Sequence, residues 1–433
     1  MSIVQYIVPI FYMLLLAFTL TRIKWLQRAG FTKNWVVVFF VAKCFAGFAY
    51  NFVALRYIPN RGDIWPFFED GLYLYHSFLQ SPAAFFETWT QGFGFNGVNV
   101  LSSDSSLARS AFEIIKTLHF VLNFLTFGSL AGNTVIFNFL AVLCFFKFWK
   151  FLKTQLGTQG IVAGFIFFLL PSMFFYSSGI LKEGLVIALL CLLIPLSHKL
   201  ILSRLAFKIS AAWVFAIAIL FLLKFFVALL WLFCMLVWWL MVVFRQRQWL
   251  VFLASITVAT GCFFYSYFLH PSLNFPGYLV KRQQEFLALP AASALPVKVL
   301  NETPVGFITA VPTALNNVLF KPLPGEGGKS MYLLFSAEML LFWLGVVYLF
   351  WNKQKGILLP QDKWMALCFL LFAILNLMVI GLIVPNVGAI MRYRSIFFPF
   401  VALAVILISK WQTYTHKICS RLQKMICIEE LTN

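Results

Sequence analysis

Asp63, Glu69 and Asp70 crowd into GDIWPFFEDG (62–71), although the 433-residue chain holds only 14 acidic residues. Carboxylates this close can deprotonate an attacking hydroxyl or hold a divalent metal, for which Asp63 is the candidate ligand. Gly62 and Pro66 would shape a turn here, and Glu69 and Asp70 could instead cap a helix beginning near Gly71. His76 is the only one of five histidines near this cluster, and it reads more as an interfacial side chain than as a ligand.

The cations lie elsewhere. In PSMFFYSSGILKEGLV (171–186), Ser-Ser-Gly breaks an apolar run just before Lys182 and Glu183. A tight turn with a helix N-terminus near Ser177 or Ser178 would add free N–H groups to the Lys182 charge and favour an anion. The plainer alternative is a Lys–Glu pair capping a hairpin. Lys224 interrupts an apolar stretch long enough for two spans only if the chain turns there. Lys43 sits inside an apolar run and either snorkels or serves function. Arg392 and Arg394 flank Tyr393 in GAIMRYRSIFFPF (388–400), and Lys321 lies in LFKPLPGEGGKS (319–330). A guanidinium fork matches phosphate oxygens in a bidentate way, whereas the blander role is anchoring to anionic headgroups. Lys182, Lys224, Lys321, Arg392 and Arg394 are therefore the candidate ligands of a substrate phosphate, with Glu183, Tyr393 and His76 in support.

The elements that must position these groups are membrane helices. The chain is 62% hydrophobic, only 11% charged and carries 53 Phe, with a mean hydropathy of +0.90. Runs of 18 or more apolar residues recur throughout, which predicts an all-α polytopic integral membrane protein with one transmembrane domain over 1–433. Spans are expected at 3–20, 35–54, 129–149, 160–176, 183–198, 209–224, 225–244, 249–267, 331–350, 364–384 and 395–409. That is about eleven, within a range of about 10–12. The first has no basic residue before it and no small-residue cleavage site, so it reads as a retained helix.

Short basic connections (22–33, 147–153, 199–208, 245–247, 353–363) and a basic tail (410–433) alternate with the other set of loops. The positive-inside rule makes them cytoplasmic, with the N-terminus outside and the C-terminus inside. The opposite side then carries two long loops, 55–128 and 268–330, with interfacial helices such as LARSAFEIIKTLHFVLNFL (107–125). Of the acidic residues, only Asp362, Glu429 and Glu430 would lie inside. Acidic residues contribute little to orientation, so this asymmetry suggests chemistry or binding on the outer face.

The net charge of +19 is dispersed over the inter-span segments and forms no nucleic-acid patch. The eight cysteines show no metal-ligand spacing and read as apolar filler. There is no Walker A loop, HExxH motif or GxSxG elbow.

Three motifs carry a family resemblance: the Gly-Asp-plus-acidic cluster in the first outer loop, the P-S-x-F-F-Y-S-S-G-x-x-K-E turn, and the terminal R-Y-R-x-x-x-x-P. Together they resemble bacterial envelope-polysaccharide membrane enzymes, namely GT-C-type glycosyltransferases that use polyprenyl-phosphate sugars and O-antigen polymerase-like proteins. The resemblance spans most of the chain in topology, through short motifs. It implies a base or metal-ligand role for Asp63, and less directly for Glu69 or Asp70, and phosphate binding by Lys182, Arg392 and Arg394. One departure is that the acidic loop follows the second expected span, whereas in GT-C enzymes it typically follows the first. An extra N-terminal helix, or the polymerase-like branch, would account for it.

The expected function is a hexosyltransferase or polysaccharide polymerase acting on a polyprenyl-(di)phosphate-linked sugar at the outer face of a bacterial inner membrane. A divalent metal is an open option. The expected partners are the lipid-linked sugar, the bilayer and envelope-assembly proteins, with no nucleic acid. The competing readings are a transporter or flippase of a lipid-linked or anionic substrate, and a non-catalytic scaffold of an envelope-assembly complex.

Overall fold

A computed structural model describes residues 4–58, 63–83, 85–86, 104–202, 207–270, 273–289, 293–326, 330–351, 360–409 and 425–426. The helices are α1 (Val4–Arg22), α2 (Lys24–Arg28), α3 (Lys33–Tyr57), α4 (Ile64–Gln80), α5 (Asp104–Thr126) and α6 (Leu130–Leu156). They continue with α7 (Thr158–Leu169), α8 (Pro171–Tyr176), α9 (Lys182–Leu202), α10 (Phe207–Leu223), α11 (Phe225–Val243) and α12 (Gln248–Leu269). The last are α13 (Phe275–Ala288), α14 (Pro304–Phe320), α15 (Ser330–Trp351), α16 (Pro360–Ile383), α17 (Val387–Arg394) and α18 (Phe398–Ser409). Among the described residues there is no β-strand, and Ala294 and Asn386 form an isolated antiparallel bridge.

Among the described residues, eight helices are long and apolar enough to cross a bilayer, namely α1, α3, α6, α9, α11, α12, α15 and α16. The pair α17–α18, bent by 49°, makes a ninth if counted as one span. Several of these helices turn large apolar side chains outward, including Leu14 and Phe18 on α1, Leu253 on α12 and Leu341 on α15. Hydrocarbon is the solvent that such faces require. The protein is an all-α multi-pass membrane protein.

The chain divides into two compact units. The first comprises residues 1–169, 173–225 and 412–433. In it α1, α3 and α6 pack on one another, α9 packs on α6 and α10, and α4 lies along α5. Small residues let the backbones approach, as expected for helices that cannot rely on hydrophobicity to associate within lipid. A Cβ at Gly47 on α3 would stand 2.6 Å from both Ser178 O and Thr134 Cγ2, and one at Gly164 on α7 would meet the Trp149 ring at 2.2 Å. Polar side chains inside the unit are paired across helices. Asn51 Nδ2 donates to Thr134 Oγ1 at 3.0 Å, and Asn138 Nδ2 donates to Ser178 O at 2.8 Å. At one end of this unit three basic connections meet. Lys153 Nζ donates to Ala29 O at 3.1 Å, Thr32 N donates to Ile426 O at 2.8 Å, and Thr32 Oγ1 donates to Met425 O at 2.8 Å.

The second unit comprises residues 170–172 and 226–411. Here α16 is central, packed by α14 and α18, with α13 alongside. The extended segment before α14 is tied down by Gln283, whose Nε2 donates to Lys298 O (3.0 Å) and Leu382 O (2.7 Å) and whose Oε1 accepts from Leu300 N (2.8 Å). At the α14–α16 crossing, a Cβ on Gly381 would stand 2.2 Å from Ala314 O, a backbone atom that cannot swing aside. Gly381→Leu should therefore destabilise this unit by about 1–3 kcal/mol or more. The check is a lower melting temperature of the detergent-solubilised protein, with Gly345→Leu as control because a Cβ there meets nothing within 4 Å.

Candidate functional site

In the first unit α4 begins at Ile64, not near Gly71. Its buried stripe is Ile64, Phe67, Phe68, Gly71 and Leu74, a helical spacing that faces α5. Pro66 falls in the first turn, where a missing N–H costs no helical bond. Glu69 and Asp70 are therefore mid-helix residues on the exposed side and do not cap it. Asp63 is the residue just before the helix, exposed, with a side chain that makes no capping bond to α4. His76, also exposed on α4, has its ring 5.3 Å from that of Tyr75.

The contact between α4 and α5 is close. Phe67 lies 5.0 Å from Phe112 and Phe68 lies 5.6 Å from His119. A Cβ on Gly71 would stand 2.5 Å from His119 Cβ. Asp70 is thus held beside an ion pair that the sequence reading missed, Lys116 with Glu113 at 2.5 Å. Partial burial raises the Asp70 carboxyl above its ordinary range, Lys116 works against this, and Glu113 and Glu69 add to it. The available signal was an i,i+3 pair of opposite charges on an amphipathic helix. Between α5 and α6 lies a fully buried polar group. Thr126 Oγ1 donates to Asn133 Oδ1 at 2.5 Å, and Asn133 Nδ2 donates to Asn123 Oδ1 at 2.8 Å and lies 3.2 Å from His119 Nδ1. Burial pushes the His119 imidazole down to about 3, so it is neutral at physiological pH.

The turn at 177–181 is also in the first unit, but the helix after it begins at Lys182 rather than near Ser177 or Ser178. Those serines finish α8, with Ser178 Oγ donating to Phe174 O at 2.6 Å. Lys182 therefore stands at the positive end of α9, an unfavourable place for a cation unless anions or π-faces surround it. Its Nζ lies 5.6 Å from the centre of the Phe67 ring. The two stretches singled out in the sequence, 62–71 and 171–186, thus meet. Beside them Glu183, in the first turn of α9, pairs with Lys224 at 3.2 Å. Lys224 is the single residue separating α10 from α11, as the apolar pattern required.

Lys43 does not snorkel. It is fully buried on α3, donates to Ser177 Oγ at 2.8 Å, and has the rings of Phe145 and Phe174 at 4.9 and 5.1 Å. Replacing a buried lysine by an apolar side chain of similar length removes the cost of desolvating its ammonium. Lys43→Met should raise the melting temperature, and a fall would show the lysine to be a structural anchor.

The remaining candidates belong to the second unit. Arg392 and Tyr393 are half-buried on α17, with Arg392 Nη2 donating to Tyr393 OH at 3.1 Å and the guanidinium 5.0 Å from the ring centre. Arg394 is buried, and its Nη1 donates to Val318 O at 3.2 Å and to Lys321 O. It caps the C-terminal carbonyls of α14, where a cation is favoured, so its first duty is to the backbone. Lys321 pairs with Glu326. Burial alone would raise the Glu326 carboxyl, but hydrogen bonds from Lys321 and Leu323 N outweigh it and hold it below the ordinary range.

Among the described residues no three His, Cys, Asp or Glu side chains gather as a metal site. A divalent metal at Asp63 would draw its other ligands from substrate phosphate or from residues outside those described. Gly62 lies outside the described residues.

Fold and contacts define a multi-pass membrane protein in which Phe67 of the 62–71 stretch meets Lys182 and Glu183 pairs with Lys224. No protein-family profile matches the chain, and no curated protein or solved structure is significantly similar to it.

Proposed function

We propose that this protein transfers or polymerises sugar from a polyprenyl-(di)phosphate carrier at the outer face of a bacterial inner membrane. The observation that carries the proposal is the meeting of α4 with the start of α9. There the Lys182 ammonium faces the Phe67 ring, and the next residue, Glu183, pairs with Lys224. Asp63 or a carboxylate of α4 would take the proton of the attacking hydroxyl, and Lys182 would stabilise the departing phosphate. In the second unit, taken by itself, Lys321, Arg392 and Tyr393 are proposed to bind phosphate. The topology belongs to the same proposal. α7 with α8, and α10, add two spans to the nine above and give eleven, with the N-terminus outside. The gathering of 29–32, Lys153 and 425–426 at one end of the first unit supports a cytoplasmic side rich in basic residues. Loops 55–128 and 268–330 then lie outside, and α5 lies in the interface.

Asp63→Asn and Arg392→Ala should each abolish surface-glycan assembly while the protein still inserts in the membrane. Normal glycan in both variants would sink the proposal.

Broken helices favour a second reading. α7 and α8 part at Leu170, and α17 and α18 are bent by 49°, as in transporters whose discontinuous helices bind substrate. Movement of a lipid-linked sugar across reconstituted vesicles, with no glycosidic bond formed, would support it.

A further inference from the structure

The turn between α8 and α9 is non-helical backbone set against the side of a membrane helix. A Cβ on Gly47 of α3 would stand 2.6 Å from Ser178 O, and one on Gly179 would stand 2.5 Å from Tyr50 Cδ1. Counting along α3 to Tyr57 places these contacts roughly 10–15 Å inside that span. Residues 176–181 are all buried. Broken backbone at such depth persists only where protein or enclosed water satisfies it. Asn138 Nδ2 takes up Ser178 O at 2.8 Å, and Ser178 Oγ takes up Phe174 O at 2.6 Å.

The third support is Lys43, one helical turn before Gly47 on α3 and fully buried. Its ammonium donates to Ser177 Oγ at 2.8 Å, between the Phe145 and Phe174 rings. Among the described residues no carboxylate pairs with it, and the titratable groups beside it are Cys44 on α3 and Cys191 on α9. A lysine so placed, with no counter-ion, marks a functional site rather than a stabilising one. The Ser177 hydroxyl also lies 3.5 Å from Phe174 O and 3.8 Å from Met173 Sδ, where α8 ends. A charged Lys43 donates to that hydroxyl, leaves its proton for α8, and is attracted to both rings. A neutral amine accepts the hydroxyl proton instead and loses the attraction to the rings. The bonding of the turn therefore depends on one proton.

A route for that proton runs along the same face of α3, through positions 47 and 51. Thr134 Oγ1 donates to Leu130 O, so it accepts from Asn51 Nδ2, and Asn138 Nδ2 donates to both Thr134 O and Ser178 O. Both amides are thus fixed in orientation, and Asn51 Oδ1 and Asn138 Oδ1 are buried acceptors with no donor. Such oxygens suit water, which carries protons. We propose that Lys43 is a proton-binding site that closes the 177–181 turn when charged and loosens it when neutral. The proton comes from solvent, adds to the Nζ lone pair and leaves by the same route. Lys182 and Glu183 follow this turn directly, so the start of α9 senses the proton. The proposal goes beyond the transfer reaction above and does not depend on it.

The test uses the full-length protein in nanodiscs without substrate, carrying isotope-labelled methionine methyl groups for nuclear magnetic resonance. Met173, whose sulfur lies against Ser177, is the reporter, and Met173→Leu identifies its signal. As pH rises from about 6 to about 11, across the ordinary lysine value, the signal should move between two positions. It should stay still in Lys43→Met, which has no charge to lose, and in Ser177→Ala, which keeps the lysine but cuts the link. In both variants the amides of 177–184 should exchange hydrogen roughly tenfold faster than in wild type at the acid end of that range. A Met173 signal that is fixed in wild type overturns the proposal. So does a titration that persists in Lys43→Met, which would belong to Lys182, Glu183 or the cysteines. Exchange at the turn that is equal in wild type and both variants overturns it as well.

Discussion

Asp70→Asn should lower sugar transfer roughly a hundred- to ten-thousandfold, the usual worth of a general base, whereas Glu69→Gln on the same helix should change it less than about threefold. The distinction comes from position. Asp70 adjoins Gly71, where α4 presses on α5, and shares its surroundings with Lys116, Glu113 and Glu69. Its carboxyl is raised by partial burial, which brings it closer to the pH at which a base must act. A base works only when ionised, so the rate should fall as pH drops through this raised value. Asp70→Glu should move that acid limb, and Asp70→Asn should remove it. Stability runs the other way. The folded carboxyl keeps its proton more tightly than the unfolded one, so its contribution to stability is present below the unfolded pKa and lost as pH rises through the folded pKa. Asp70→Asn should therefore melt no lower than wild type at neutral pH. A variant that is dead but stable isolates the chemistry, and wild-type transfer by Asp70→Asn would remove Asp70 from it.

Of the eleven expected spans, the eight that are long apolar helices were legible because apolar length is a one-dimensional signal. The break at Lys224 was read from the same signal, since the stretch around it is too long for one span and too apolar for a loop. Helix starts were harder. Ser177 and Ser178 look like N-caps in sequence, but their hydroxyls bond back to Phe174 and end the helix before them. A serine's two roles at helix ends have the same sequence appearance. Glu69 and Asp70 were misplaced for a related reason. Gly71 reads as a break, whereas in the fold it is the residue that lets α5 come close. Arg394 shows a third limit. An arginine that caps carbonyls 76 residues away cannot be told in sequence from one that awaits a phosphate. Nor was the burial of Lys43 legible, because snorkelling and burial share one pattern until the neighbours are placed.

The Glu183–Lys224 pair carries the other large effect. Glu183 sits in the first turn of α9 with its side chain 4% exposed, and Lys224 follows the last turn of α10 at 21%. Glu183 thus complements the positive end of α9, whereas Lys224 complements the negative end of α10 and opposes the positive end of α11, which makes its carboxylate partner matter more. Removing one partner leaves the other charge in a poorly solvated place, a loss of about 3–5 kcal/mol for fully buried pairs. The partial exposure of Lys224 puts this pair near the lower figure, ~3 kcal/mol, enough to lower the melting temperature of Glu183→Leu and Lys224→Met markedly. Replacing both removes charge and partner together, so the double variant should recover most of that loss. Transfer should not recover with it, because the double variant lacks the charges that stand beside Lys182 at the start of α9. If stability and transfer return together in the double variant, the pair is only a clamp for the turn. If stability alone returns, the charges at the start of α9 take part in handling the substrate.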